Sequence, residues 1–325
     1  MFMAYDLEKQ VAIAAVTQAA QLCEAVRQGL VPAAIEKNDK SPVTIADYGA
    51  QAVICRALAA AFPADPVVGE EDTQDLRQPA MAPVLSQVTQ QVQGVQPGAT
   101  DSEVLSWIDH GNGDVARRYW TLDPIDGTKG FLRGDQYAIA LALVEDSDLK
   151  VGVLGCPFLS FGQGTGLLLV AVRGEGTVIM PLAGGEPQPL QVASADHTAH
   201  WRFVESVESG HGNQDQQSAI AQAVGITAPS MRMDSQAKYA AVAAGQAVLY
   251  LRLPSPKSPD YREKIWDHAA GVLVVQEAGG KVTDMHGKPL DFGTAARFPN
   301  NRGVVVSNGA IHETVLAALK QGQPV

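Results

Sequence analysis

Apolar residues recur at helical spacing over residues 5–30, at Val11, Ala15, Ala19, Leu22 and Val26, and Gly29 supplies a stop, so the chain is expected to open with an amphipathic helix. A polar loop or hairpin holding Glu36, Lys37, Asp39 and Lys40 follows, then residues 41–47 lead into a second helix carrying Ala50, Ile54, Ala57 and Leu58, with Asp47 near its first turn. Residues 66–72 read as a short buried strand ending in Glu70, Glu71 and Asp72. Residues 78–113 turn polar and glutamine-rich, which predicts a surface insertion with helical pieces at 84–92 and 102–109; Thr100 and Glu103 form a capping-box pattern ahead of the second.

The strand-like run 118–122 enters an acidic turn, and residues 137–144 and 150–155 are predicted to pair as a hairpin across the acidic residues 145–148. Gly162-x-Gly164-x-Gly166 leads into a strand-like segment without a following Lys-Ser/Thr, so it reads as a turn rather than a phosphate loop. Strands then alternate with helices: 203–207, a helix to about 224, 230–234, a helix at 236–245, and 247–253. After prolines 254, 256 and 259, a helix is expected over 266–278 with Asp267 in its first turn and Gly279-Gly280 as stop, then strand-like pieces at 281–289 and 303–307 and a final helix. The alternation predicts a second, α/β domain, dividing the chain into residues 1–178, an α+β domain, and 179–325.

Length supports that division, because 325 residues at 46% hydrophobic content exceed what a single core usually holds. The net charge of −11, with no run of lysine and arginine, argues against a surface that tracks a nucleic-acid polymer. An anionic ligand would then need a local reversal of the field, which bound metal ions supply. Cys23, Cys55 and Cys156 are far apart in apolar surroundings and form no C-x-x-C pair. With no leader pattern and no apolar run of membrane length, a soluble cytoplasmic protein is expected.

The chemistry concentrates in Trp120-Thr121-Leu122-Asp123-Pro124-Ile125-Asp126-Gly127-Thr128-Lys129-Gly130. Two carboxylates flank a proline that fixes the turn; Gly127 permits a sharp bend or close approach, and Thr128 adds a hydroxyl beside main-chain N–H groups. Such an arrangement suits a hard divalent cation and a phosphate together, though Asp, Pro and Gly are also ordinary turn residues. Asp47 likewise reads as a helix cap or as a side chain projecting into a cleft. His268 beside Asp267 reads as structural, since adjacent helical positions diverge by about 100°. Asp47, Glu70, Asp123, Asp126 and Asp267 all fall at strand ends or helix starts, and if they converge they can hold two or three Mg²⁺ ions.

Gly69-Glu70-Glu71, Asp123-Pro124-Ile125-Asp126-Gly127-Thr128 and Trp266-Asp267-His268-Ala269-Ala270-Gly271 resemble, in this order, the three motifs of the lithium-sensitive, Mg²⁺-dependent phosphatase superfamily that includes inositol monophosphatase. Residues 127–134, Asp234-Ser235-Gln236-Ala237-Lys238-Tyr239, Tyr250-Leu251-Arg252-Leu253-Pro254 and residues 263–268 are similar to its 3′(2′),5′-bisphosphate nucleotidase branch of the yeast and plant type. The resemblance implies a layered αβαβα fold and removal of the 3′-phosphate from 3′-phosphoadenosine 5′-phosphate and from its sulfated form, clearing a by-product of sulfate assimilation. It implies that Glu70, Asp123, Asp126, Asp267 and the Ile125 carbonyl bind metal and that Asp47 and Thr128 orient and deprotonate the attacking water. Gly127 and Thr128 N–H groups would hold the scissile phosphate, and His211, Ser235, Lys238 and Arg252 would hold the nucleotide. Direct in-line displacement by metal-activated water, inhibition by Li⁺ and also by Na⁺ and Ca²⁺, and a monomer or weak homodimer complete what the resemblance implies.

Two rivals stand beside this reading. One is a phosphatase of the same fold acting on inositol monophosphate or inositol 1,4-bisphosphate. The other is a catalytically silent nucleotide-binding regulator, since a fold does not fix a function.

Overall fold

A computed structural model describes residues 4–29, 35–36, 42–162, 164–196, 201–208, 214–255, 258 and 260–321. Lys37, Asp39, Lys40, His211 and prolines 256 and 259 of the sequence reading lie outside the described residues. Helix α1 (Asp6–Gly29) turns the predicted stripe inward, burying Ala15, Ala19, Leu22 and Val26. Strands β1 (Ile35–Glu36) and β2 (Pro42–Val43) make a short antiparallel ladder, and α2 (Ile45–Ala61) packs along α1. No described helix is long and apolar enough to cross a membrane.

The first large sheet runs in the order β3 (Val67–Gly69), β4 (Arg118–Asp126), β5 (Ala138–Glu145), β6 (Asp148–Cys156), β7 (Leu167–Val172), β8 (Gly176–Pro181) and β9 (Gln188–Leu190). Only β3 and β4 are parallel in it, which carries the ends of both strands to the same edge of the sheet. The predicted hairpin is β5–β6, closed by Asp146 and Ser147, both with positive φ. Helices α3 (Ala82–Val95) and α4 (Asp101–Asp109) connect β3 to β4, and α4 carries the expected Thr100–Glu103 capping box. Their segment is not a surface insertion: both helices pack on α2, and Val88, Val92, Val104 and Ile108 are fully buried.

The short α5 (Thr128–Arg133) follows β4. The second sheet takes the order β11 (Met231–Arg232), β10 (Phe203–Glu205), β12 (Leu249–Arg252), β14 (Val304–Ser307) and β13 (Lys281–Thr283), with β10 parallel to both neighbours. Helices α7 (Ala237–Ala243) and α8 (Ala269–Glu277) fill the space between the sheets, α8 against β5, β6, β7 and β13, and α7 against β10, β12 and β14. Helices α1 and α2 cover the outer face of the first sheet, while α6 (Gln214–Ala223) and α9 (His312–Gln321) pack together outside the second. The result is the layered αβαβα order.

Two boundaries differ from expectation. The division at 178/179 falls inside β8, and the first sheet continues to Leu190. The helix expected over 266–278 is broken: Ile265–Asp267 form a single 3₁₀ turn, His268 takes φ −136°, and α8 starts at Ala269. Helices α7 and α8 meet at Gly271, where an added Cβ would stand 2.8 Å or less from Tyr239. Since Tyr239 is fully buried and hydrogen-bonded, Gly271→Ala is expected to destabilise the fold by about 1–3 kcal/mol through overpacking. Chemical denaturation would show it as a lowered midpoint at unchanged slope.

Candidate active site

Strand β4 delivers the acidic turn. Its ladder with β5 pairs Asp123 with Ala140, breaks, and resumes at Asp126 with Ala138, the interruption enclosing Pro124, which has no N–H to donate. Gly127 then adopts φ 86°, a left-handed conformation, and lies so close to Ser235 that an added Cβ would stand 3.0 Å from its Cβ. Helix α5 begins at once, so the Thr128 hydroxyl sits 3.2 Å from Asp47 Oδ1 and 3.2 Å from the Ile125 carbonyl.

Asp47 caps its helix, as one expected reading has it, but it does not itself project into the cleft. Its Oδ2 accepts hydrogen bonds from Thr44 N at 2.8 Å and Thr44 Oγ1 at 2.6 Å, completing a capping box at the start of α2. Its Oδ1 faces Thr128. The residue is fully buried beneath the cleft and reaches it through that hydroxyl.

Glu70 follows β3, Asp267 ends the 3₁₀ turn, and with Asp123, Ile125, Asp126, Gly127 and Thr128 they line one cleft of about 390 Å³. Burial, followed by Glu70, Asp126 and Asp267, pushes the Asp123 carboxyl well above its ordinary range. Burial raises Asp126 to about 6 although Lys238 and the Gln236 N–H at 2.5 Å pull the other way. Asp267 rises to about 7, again chiefly through burial, with His268 opposing and Asp126 and Glu70 adding to it. Asp123 Oδ1 is buried with no hydrogen-bond partner among the described residues. An orphaned carboxylate oxygen among three more acids is a donor set that fits hard divalent cations.

The adjoining wall is cationic. Lys238, on α7, is buried, and burial brings its ammonium down to about 8 against the pull of Asp126. Ser235 takes φ 63°, and Gln236 ties the wall together by donating to the Trp266 carbonyl and accepting from Gly271 N. Arg252 Nε donates to Glu263 at 3.1 Å. Burial opposes ionisation of Glu263, yet Arg252 and His268 hold it down to about 2. His268 is structural, as expected: Tyr239 Oη lies 2.6 Å from its Nδ1 and Glu263 3.4 Å from its Nε2. Glu263, Asp267 and His268 also present potential ligand atoms within 4.8 Å of one another, but Glu263 is already engaged by Arg252 and His268.

Ten of the twelve expected site residues therefore line a single cleft, Asp47 lies directly beneath it, and His211 is outside the described residues. Sequence reasoning assigned no site role to Lys129, Glu208, Asp234, Gln236, Tyr261, Lys264 and Arg297, which also line it. Gln236 and Lys264 stand inside motif segments and could have been found there; Arg297 lies in a loop with no local signal.

The sequence profile of the inositol monophosphatase family matches residues 6–323. A 3′(2′),5′-bisphosphate nucleotidase of Schizosaccharomyces pombe is 45% identical, over 97% of this chain and 96% of its own. One from Emericella nidulans is 42% identical over 98% of this chain and 99% of its own. Among solved structures, an extragenic suppressor protein from Bartonella henselae superposes with a TM-score of 0.65 at 21% identity, covering 97% of this chain and 98% of its own, a likeness of fold.

Proposed function

Because the chain belongs to the inositol monophosphatase family, a metal-dependent family, we propose that it is a 3′(2′),5′-bisphosphate nucleotidase. In this reading it hydrolyses 3′-phosphoadenosine 5′-phosphate to AMP and phosphate, and the sulfated nucleotide likewise. The observation that carries this is the division of one cleft into an acidic floor, Glu70, Asp123, Asp126 and Asp267, and a wall with the cations Lys238 and Arg252. Such a cleft suits a substrate with two anionic groups of different fate, one cleaved and one held.

Glu70, Asp123, Asp126, Asp267 and the Ile125 carbonyl would hold two or three Mg²⁺ ions, with Li⁺ as an inhibitor. Bound Mg²⁺ supplies Lewis-acid charge at the scissile phosphoryl group. The main-chain N–H groups of Gly127 and Thr128 orient that group, and Thr128 Oγ1 positions the attacking water. Asp47 Oδ1 takes the proton that the hydroxyl passes on while the water oxygen bonds directly to phosphorus and the P–O3′ bond breaks; the ribose 3′-oxygen leaves and takes a proton from solvent, with no phosphoenzyme in this reading. Ser235, Lys238 and Arg252 hold the remaining phosphate.

Phosphate release with Mg²⁺ from 3′-phosphoadenosine 5′-phosphate, its sulfated form, AMP, inositol 1-phosphate and inositol 1,4-bisphosphate tests the assignment. The two bisphosphate nucleotides are expected to be turned over best; preference for an inositol phosphate would overturn it. Lys238→Ala removes a charge-assisted contact and is expected to raise KM for the bisphosphate nucleotide by about 10- to 100-fold, and for a monophosphate much less. Equal effects on both would take Lys238 out of the substrate pocket.

A further inference from the structure

Few large apolar side chains stand exposed among the described residues, and one of them, Tyr261 at 42% exposure, lines the cleft. The Arg297 guanidinium lies 5.7 Å from the centroid of its ring. Arg297 itself donates to the Arg262 carbonyl at 3.0 Å, and no carboxylate among the described residues pairs with it. Arg297 is held by a backbone clamp, in which Ile265 N donates to the Ala296 carbonyl and Phe298 N to the Glu263 carbonyl, each at 3.0 Å, about a bridge between Lys264 and Arg297; Tyr261 lies just before it and donates its own N–H to the Ser258 carbonyl at 3.2 Å. The ring thus lines the cleft with the clamped Arg297 beside it, and Arg297 is bonded to the carbonyl of the next residue, Arg262.

Neither residue belongs to the acidic floor, and neither is on α7, which carries Lys238. With the cleaved phosphate on the floor and the second phosphate at Lys238 and Arg252, the part of a nucleotide left without a partner is the base. We propose that Tyr261, backed by Arg297, is a stacking platform for the nucleobase, and so sets the preference for nucleotide over sugar or cyclitol bisphosphates. A planar π-face tolerates any base, and an arginine against an aromatic ring adds a cation–π component. A tyrosine side chain, with only two rotatable torsions, also loses little conformational freedom on binding. This subsite rests on the nucleotidase reading.

The test compares kcat/KM for 3′-phosphoadenosine 5′-phosphate with that for 1-O-methylribose 3,5-bisphosphate, which carries both phosphates and no base. For the wild type the base-bearing substrate is expected to lead. In Tyr261→Ala the ratio between the two should fall about tenfold or more, through KM, and in Tyr261→Phe it should stay near the wild-type ratio. Thermal melting of the variants checks that the fold is kept, as it should be for an exposed side chain. A ratio unaltered in Tyr261→Ala, or a wild type indifferent to the base, overturns the platform while leaving the nucleotidase reading in place. Failure of the wild type to release phosphate from either compound overturns both.

Discussion

Asp123→Asn is expected to abolish Mg²⁺-dependent phosphate release while making the metal-free protein more resistant to heat. The carboxyl is 2% exposed, its Oδ1 has no partner among the described residues, and burial and three neighbouring acids raise it well above the ordinary carboxylate range. Without cations it therefore weakens the fold at neutral pH, and a neutral side chain of the same shape removes that repulsion. The same change removes a ligand from the cation site, whose charge stabilisation is worth several kcal/mol, so kcat/KM should drop by about 10³-fold or more. The pH dependence has a definite sign. Asp126 and Asp267, at about 6 and about 7 in the folded protein, bind protons there more tightly than in the unfolded chain. The stability they contribute is present at low pH and falls as pH rises from the ordinary carboxylate range through about 7. Thermal scans with EDTA at pH 5 and pH 8 should show the metal-free wild type melting lower at pH 8, with Mg²⁺ restoring it and Asp123→Asn narrowing the gap. Wild-type turnover in the variant, or a lower melting temperature than wild type in EDTA at pH 8, would remove Asp123 from the metal site.

What could be read from the sequence follows from how local each determinant is. Helix α1 was legible because its buried positions repeat at helical spacing, and the capping box at Thr100 and Glu103 because it spans one turn. The acid turn was legible because Pro124 and Gly127 dictate backbone shape within a few residues. The segment 78–113 was misread because glutamines dilute the pattern: Val88, Val92, Val104 and Ile108 are few, yet each is fully buried against neighbours the local sequence does not specify. Nothing in the apolar run after Trp266 marks a break, since the departure at His268 comes without glycine or proline and is supported by Tyr239 and Glu263 from elsewhere in the chain. The 178/179 division failed at β8 because a strand's membership in a sheet is set by its neighbours β7 and β9. Likewise a lysine on a helix is ordinarily solvated, and Lys238 is buried only because two sheets close over α7.

Asp47→Asn is expected to lower kcat by about 10²- to 10⁴-fold with KM and stability nearly unchanged. The carboxylate serves two partners with different demands. Towards Thr44 it acts as an acceptor, and an asparagine carbonyl oxygen can fill that role, so the start of α2 should lose no more than about 1 kcal/mol. Towards Thr128 it must accept a hydrogen bond and then a proton, and an amide nitrogen placed there can only donate. The hydroxyl would keep the Ile125 carbonyl as its acceptor but would have nowhere to pass a proton. Thr128→Ala should give a loss of similar size and Thr128→Ser a small one, since serine keeps the hydroxyl. If the two residues act as one relay, the double variant Asp47→Asn/Thr128→Ala should be scarcely slower than either single variant, because breaking either link already stops the transfer. Losses that simply multiply would mean that Asp47 and Thr128 act independently, and would leave Asp47 as the cap of α2 alone.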